Sequence, residues 1–224
     1  MKIAVLGTGV VGQTIALRLS QFGHTVVVGT RDPQASLART APDAMGRPGF
    51  GDWSAEHDAI GVATFADAAQ GADLVVNALS GDAAVSGVGA AGVADGTVVL
   101  DISNPLDFSR GMPPSLFVSN TDSLGEQIQR TFPTLRVVKT LNTMNAFVMA
   151  DPKLVAGGAF TTFVSGDDAD AKQVVIELLE SIGHSDVIDL GDISTARGTK
   201  SLMPVWLRLY GSLGTPMFTF KVVR

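Results

Sequence analysis

Three glycines, Gly7, Gly9 and Gly12, spaced as G-x-G-x-x-G within "GTGVVG", are the first residues of the chain whose type and spacing could do chemistry. Each answers a different demand: a tight turn at Gly7, close approach of the backbone to a phosphate at Gly9, and close packing of helix on strand at Gly12. Thr8, Val10 and Val11 fill the intervening positions and contribute backbone N–H groups. A helix that opens here presents those donors and a partial positive charge to an anion, so the implied chemistry is the holding of a pyrophosphate. A second cue follows about 20 residues on, where such a fold places an acid on a ribose hydroxyl. The chain instead reads "VVVGTRDPQ", with Gly29, Thr30 and Arg31 at that point. A hydroxyl and a planar, permanent cation suit a 2′-phosphate, which a carboxylate would repel, and the cofactor expected is NADP(H). The plainer alternative leaves Arg31 in solvent beside a helix start and gives Asp32 to NAD.

The elements that must position these residues follow from hydrophobic period and from stop signals. Lys2 to Leu6 reads as a strand, Val11 to Phe22 as a helix ended by Gly23, and Thr25 to Gly29 as a second strand. Asp32 and Pro33 read as a cap and first-turn proline of the next helix. Residues 41–59, rich in Gly, Pro and Asp, have no defensible period and are expected to be a surface insertion. Strands are expected at Val62 to Phe65, Leu74 to Leu79 and Val98 to Ser103, with helices at Ala66 to Gln70 and Asp82 to Val93. A Pro- and Gly-containing loop follows from Ser103. The capping pair Ser123 and Glu126 then opens a helix towards Arg130, with a strand from Arg136. A strand from Ala159, a helix over Ala169 to Ile182, a short strand at Val187 to Leu190 and a closing helix from Ser194 to Tyr210, interrupted near Pro204, complete the reading. The fold class is α/β: a Rossmann-like, doubly wound, mostly parallel sheet with extra C-terminal strands and a closing helix. Residues 1–224 form one domain, with 1–142 as the dinucleotide-binding core and 143–224 as an extension completing the acceptor site.

In open α/β sheets ligands bind at the carboxyl ends of the strands, which points to Leu79, Asn104 and Asn142. The two asparagine amides can donate to a carboxamide or ring carbonyl, although Asn104, before Pro105, equally suits a turn. No general acid or base is expected, and no catalytic side chain is nominated. His24, His57 and His184 lack a motif partner. Lys139, in a strand, and Lys200, in the closing helix, are read as surface or phosphate-neutralising groups. No metal site is expected.

The chain's 224 residues carry a formal net charge of −6, 46% hydrophobic residues and no cysteine, which removes disulfides and thiol chemistry and gives no charge footprint for nucleic acid. No apolar stretch approaches a membrane span, so a cytoplasmic protein is expected. From Ile193 to Arg224 there are five basic residues and no acid. That end would attract an acidic ligand, or else is ordinary helix charge beside a dimer contact through Trp206, Leu209 and Tyr210.

Six segments in one order, "GTGVVGQTIALRL", "VVVGTRDPQ", "ADLVVNAL", "RVVKTLNTMNAF", "TTFVSGDDADAKQVV" and "SLMPVWLRLYG", resemble the NADPH-dependent reductases of the deazaflavin coenzyme F420. They are similar also to the cytoplasmic reductase domain of the STEAP metalloreductases. A homodimer is expected separately; the resemblance implies an NADP-binding fold and hydride transfer between NADPH and a deazaflavin or flavin as small-molecule redox acceptor. It implies that Gly7 to Gly12 hold the pyrophosphate and that Thr30 with Arg31 hold the 2′-phosphate. It also places Ala78 and Leu79 beneath the nicotinamide ribose, and Asn142 and Thr143 at the nicotinamide. Some deazaflavin reductases have histidine where this chain has Asn142, whereas the metalloreductase-like members have asparagine. The alternatives are a reductase of a small organic substrate, which would ordinarily carry a larger helical C-terminal domain, and a non-catalytic NADPH sensor.

Overall fold

A computed structural model describes residues 1–43 and 45–224. Its main sheet contains β1 (Lys2–Leu6), β2 (Thr25–Thr30), β3 (Gly61–Thr64), β4 (Leu74–Asn77), β5 (Val98–Asp101), β8 (Arg136–Thr140), β9 (Thr162–Ser165) and β10 (Val187–Asp189). β6 (Leu106–Asp107) and β7 (Ser115–Leu116) form a separate small hairpin. The eight strands lie in the order β10-β9-β8-β5-β4-β1-β2-β3, all pairs parallel except β8 with β9. The order reverses at β1, where the chain runs outward one way through β2 and β3 and the other way through β4 and β5. A crevice at the strands' carboxyl ends is expected at such a reversal.

Strand residues alternate between faces, and both faces are covered, so the strands read as continuous apolar runs. Ile3 and Val5 pack with Ile15, Leu19, Val175 and Leu179 on the side of α1 (Val10–Gln21), α7 (Ala146–Ala150) and α8 (Ala169–Ser181). Ala4 and Leu6 pack with Phe65, Val88 and Ile128 on the side of α4 (Phe65–Ala69), α5 (Gly81–Ala91) and α6 (Leu124–Thr131). A satellite cluster joins Met203, Trp206 and Leu207 to Leu106, Leu116, Phe218 and Phe220. It seats α10 (Met203–Leu213) against the hairpin and the last residues.

Several expectations need correction. The expected surface insertion contains α3 (Phe50–Glu56), following α2 (Pro33–Leu37), and it buries Phe50 and Trp53 in the main core. Two aromatics in seven residues are too few to register as a helical period. The loop from Ser103 encloses the hairpin, and α7 arises in a stretch for which no element was expected. The closing helix is three pieces: a 3-10 turn at Ile193–Thr195, α9 (Ala196–Ser201) and α10. Pro204 falls in the first turn of α10, where its missing N–H costs nothing.

Lys139 and Lys200 are not surface groups. Both are buried, Lys139 paired with Asp101 at 2.8 Å and Lys200 donating to the Asp122 carbonyl. Burial pushes both ammonium groups down from the usual lysine range. His184 also has partners, since its Nε2 faces the Met149 carbonyl at 3.0 Å and its Nδ1 the Thr162 hydroxyl at 2.8 Å. The basic end is largely used within the fold: Arg197 pairs with Glu126, Arg224 with Asp186, and Lys221 donates to the Ala159 carbonyl.

Candidate functional site

The glycine turn joins β1 to α1 with almost no spare room. Gly7 has φ of 122°, and a Cβ there would lie 2.7 Å from the Ala78 carbonyl oxygen. A Cβ on Gly12 would lie 2.0 Å from the Gly7 carbonyl oxygen, so α1 could not approach β1 as it does with any side chain there. Gly9 differs: a Cβ there would meet nothing within 4 Å. It is the N-cap of α1 and supplies no side-chain cap, so the first-turn N–H groups are left for another acceptor. Open space over uncapped helix donors fits a pyrophosphate. The turn is braced by Gln13 Nε2, which donates to the Thr8 carbonyl at 2.9 Å.

At the end of β2, Gly29 leaves no room for a side chain of any kind. A Cβ on Gly29 would lie 2.9 Å from Leu6 Cδ2 and 3.3 Å from both Ala68 Cβ and Phe65 Cδ1. The next residue, Thr30, is 7% exposed and its hydroxyl lies 2.7 Å from that of Ser36. Arg31 is exposed, while Asp32 Oδ1 accepts from Ala35 N at 3.0 Å as the cap of α2. Gly7, Thr8, Thr30 and Arg31 line one cleft of about 400 Å³, together with Ser36 and Arg39. Neither Ser36 nor Arg39 was singled out in the sequence. Ser36 follows Thr30 by six positions and gives no motif, and Arg39 lies beyond the end of α2. Arg31 also borders a groove formed with Phe65, Leu79, Ala83 and Gly87.

A second cleft of about 280 Å³ lies on the other side of the turn, lined by Gly9, Val10, Val11, Ala78, Leu79 and Asn104 and walled by Leu106, Phe108 and Met149. The two clefts meet at Leu79, whose side chain nests against α5 where Gly87 has none. Asn104 and Asn142 are brought together. Asn104 Nδ2 donates to the Asn142 carbonyl at 3.0 Å, and Asn142 Nδ2 donates to Asn104 Oδ1 at 3.3 Å. Asn142 and Thr143 are buried, 1% and 3% exposed, so Asn104 is the amide that lines the cleft while Asn142 stands behind it. The preceding residue, Leu141, has φ of 59°, a conformation leucine rarely adopts, and such strain clusters at functional sites.

Beneath this cleft lies a buried polar group that joins three neighbouring strand ends. Asp101 Oδ1 accepts from Asn77 Nδ2 at 2.9 Å and from Ser103 N and Oγ at 3.1 and 2.7 Å. Asp101 Oδ2 accepts from Lys139 Nζ at 2.8 Å, and Lys139 also donates to the Ser103 carbonyl. Every carboxylate oxygen is thus used, as burial of a charge requires. No group of three or more metal-ligating side chains occurs among the described residues.

A parallel sheet reversing at β1, with a glycine turn and two clefts at its carboxyl edge, defines a Rossmann-type nucleotide-binding protein. Residues 2–105 match the family model "NADP oxidoreductase coenzyme F420-dependent". A crystal structure of a provisionally named F420-dependent NADP reductase from Arthrobacter sp. FB24 is 58% identical, with a TM-score of 0.95 and full coverage of both chains. The F420-dependent NADP reductase of Methanocaldococcus jannaschii is 29% identical over 223 residues, 96% of each chain. Metalloreductase STEAP3 of Rattus norvegicus is 26% identical over 92% of this chain, which spans 38% of that protein's length. The chain belongs to the family of coenzyme F420-dependent NADP oxidoreductases.

Proposed function

We propose that this protein is an NADP(H)-dependent oxidoreductase that transfers a hydride between NADPH and a deazaflavin, coenzyme F420, with a flavin as the nearest substitute. The observation that supports it most is the pair of clefts meeting at Leu79, one carrying Arg31 and Thr30, the other apolar and edged by Asn104. NADPH supplies the hydride and the deazaflavin ring accepts it with a proton from water. The protein's share is binding, orientation and exclusion of water, which can account for much of such a rate without an acid or base.

In this reading Gly7, Thr8, Gly9, Val10, Val11 and Gly12 bind the pyrophosphate through backbone N–H groups. Arg31 binds the 2′-phosphate, and Thr30 orients Ser36 towards it. The groove between Arg31 and Leu79 takes the adenine. Ala78 and Leu79 support the nicotinamide ribose, and the Asn104 amide, held by Asn142 with Thr143 next to it in the chain, fixes the carboxamide. Leu106, Phe108 and Met149 keep water from the ring faces. Residues 1–142 hold the dinucleotide and 143–224 complete the acceptor site, all within one unit. The proposal extends to a cytoplasmic homodimer. No helix among the described residues is long and apolar enough to cross a membrane.

The test is anaerobic mixing of the protein with NADPH and, separately, F420, FMN, FAD and riboflavin, following NADPH absorbance. Turnover fastest with F420 is expected. Reduction of a small carbonyl or imine compound with none of these acceptors would favour the organic-substrate reductase. Binding of NADPH without turnover would favour a sensor.

A further inference from the structure

The segment between α2 and β3 grips one side chain of the phosphate cleft. Arg39 lies two residues past the end of α2, and its Nη2 donates to Thr8 Oγ1 at 2.6 Å, so it reaches from α2 to the glycine turn. Its guanidinium carbon stands 5.8 Å from the centre of the Phe50 ring, within the range of a cation–π contact. Phe50 stacks on Trp53 at 5.5 Å, and Trp53 on His57 at 4.9 Å, while Phe50 and Trp53 are anchored in the main core. The backbone is held as firmly. Gly51 N donates to the Arg39 carbonyl at 2.9 Å. A Cβ on Gly49 would fall 2.3 Å from the Arg39 carbonyl oxygen, and one on Gly51 would fall 2.0 Å from that of Leu37. The start of α3 therefore lies flush against the chain that carries Arg39, and only glycine permits it.

An exposed arginine ordinarily moves among many rotamers, and ordering it on a ligand opposes binding. Here the backbone and one face of the guanidinium are fixed in advance. Arg39 forms no ion pair among the described residues, and its cleft also holds Arg31, Thr30 and Ser36. The one acid on that cleft, Asp32, is turned to cap α2. We propose that Arg39 is a second guanidinium for the 2′-phosphate, held in place by the inserted helix α3, so that residues 49–57 set cofactor preference together with Arg31. This rests on the NADP reading of the cleft.

The test is calorimetric binding of NADPH, NADH and adenosine 2′,5′-bisphosphate, which needs no redox acceptor. Arg39→Gln is expected to weaken NADPH and the bisphosphate at least tenfold and NADH less than twofold. Phe50→Leu, which keeps an apolar core residue, and Gly51→Ala, which lifts α3, are expected to lower the NADPH-to-NADH affinity ratio at least threefold. Adding either to Arg39→Gln should lower that ratio no further. Equal losses for NADPH and NADH in Arg39→Gln would place the group on the pyrophosphate and overturn the proposal. An unchanged ratio in both α3 variants, with folding verified by circular dichroism, would overturn the role of α3. A wild-type protein that fails to prefer NADPH would overturn the NADP reading itself, separately from either result.

Discussion

Arg31 carries the most consequence at the scale of single residues. Its guanidinium stands exposed at the rim of the cleft, and charge-assisted hydrogen bonds of this kind are each worth about 1.5–3 kcal/mol. Arg31→Ala is expected to weaken NADPH by about 2 kcal/mol in a binding titration and to leave NADH nearly unchanged; equal weakening would remove the 2′-phosphate assignment. Lys139 gives a prediction of a different kind. Lys139→Met strands the Asp101 carboxylate in a site where both partners are almost wholly buried, a loss of roughly 3–5 kcal/mol in urea unfolding. The pair replacement Asp101→Asn with Lys139→Met should recover much of that. His184 supplies a pH prediction. Burial holds its pKa down to about 4 from the ordinary 6.5, with the Met149 carbonyl opposing that shift and Arg18 adding to it. The unfolded chain therefore binds the proton more readily, so stability is fully present above about pH 6.5 and falls as the pH drops towards 4. His184→Gln should flatten that part of a curve of melting temperature against pH, and an unchanged slope would put its origin elsewhere. Thr30, Arg31 and the three glycines were legible in the sequence because each has a local reason to be where it is. Ser36 was not, because a serine six positions past Thr30 forms no motif, and Arg39 and the Asp101–Lys139 pair were not, because their partners lie more than thirty residues away.

Among the elements, the β1–α1 turn and α3 show opposite degrees of legibility. The turn announces itself because its glycines fall within six residues at a fixed spacing, although the wall that confines Gly7 is the distant Ala78 carbonyl. Gly12→Ala places a methyl 2.0 Å from a carbonyl oxygen, so α1 must shift. We expect at least a tenfold loss of affinity for both NADPH and NADH and a lower melting temperature, whereas unaltered binding would mean that the helix N-terminus does not hold the pyrophosphate. α3 gave no signal because seven residues with two buried aromatics do not complete an amphipathic period, and its fit depends on Gly49 and Gly51 meeting the carbonyls of Arg39 and Leu37. The reading of α10 was closer, since a proline within a helical pattern marks either a kink or a first turn, and the separate start at Met203 selects the second. Burial of the two lysines was missed for a physical reason. A strand position such as Lys139 faces one layer or the other, and sequence does not say that a carboxylate awaits it there.

For the whole molecule, the parallel sheet was legible from the βαβ rhythm, and the antiparallel entry of β9 beside β8 was not, because an apolar strand carries no mark of its direction. The charge asymmetry between the first 192 residues and the rest was also visible, but the fold uses most of those basic groups in pairing with its own acids and carbonyls. That leaves Arg208, exposed on α10, as the one basic group of this end without a side-chain hydrogen bond or ion pair among the described residues, so attraction of an acidic ligand by this end should be modest. What the sheet, the turn and the two clefts share is a single geometry: both clefts adjoin the glycine turn at the reversal at β1 and meet at Leu79, which is where the proposed function lays the dinucleotide. The most direct measurement is therefore isotopic: NADPH carrying deuterium at the nicotinamide C4 is mixed anaerobically with the protein and oxidised F420, and the reduced deazaflavin is analysed by mass spectrometry. The account predicts that deuterium from one face of the nicotinamide appears in the deazaflavin as NADPH is consumed. NADPH bound tightly at the cleft, with no label reaching F420, would contradict it.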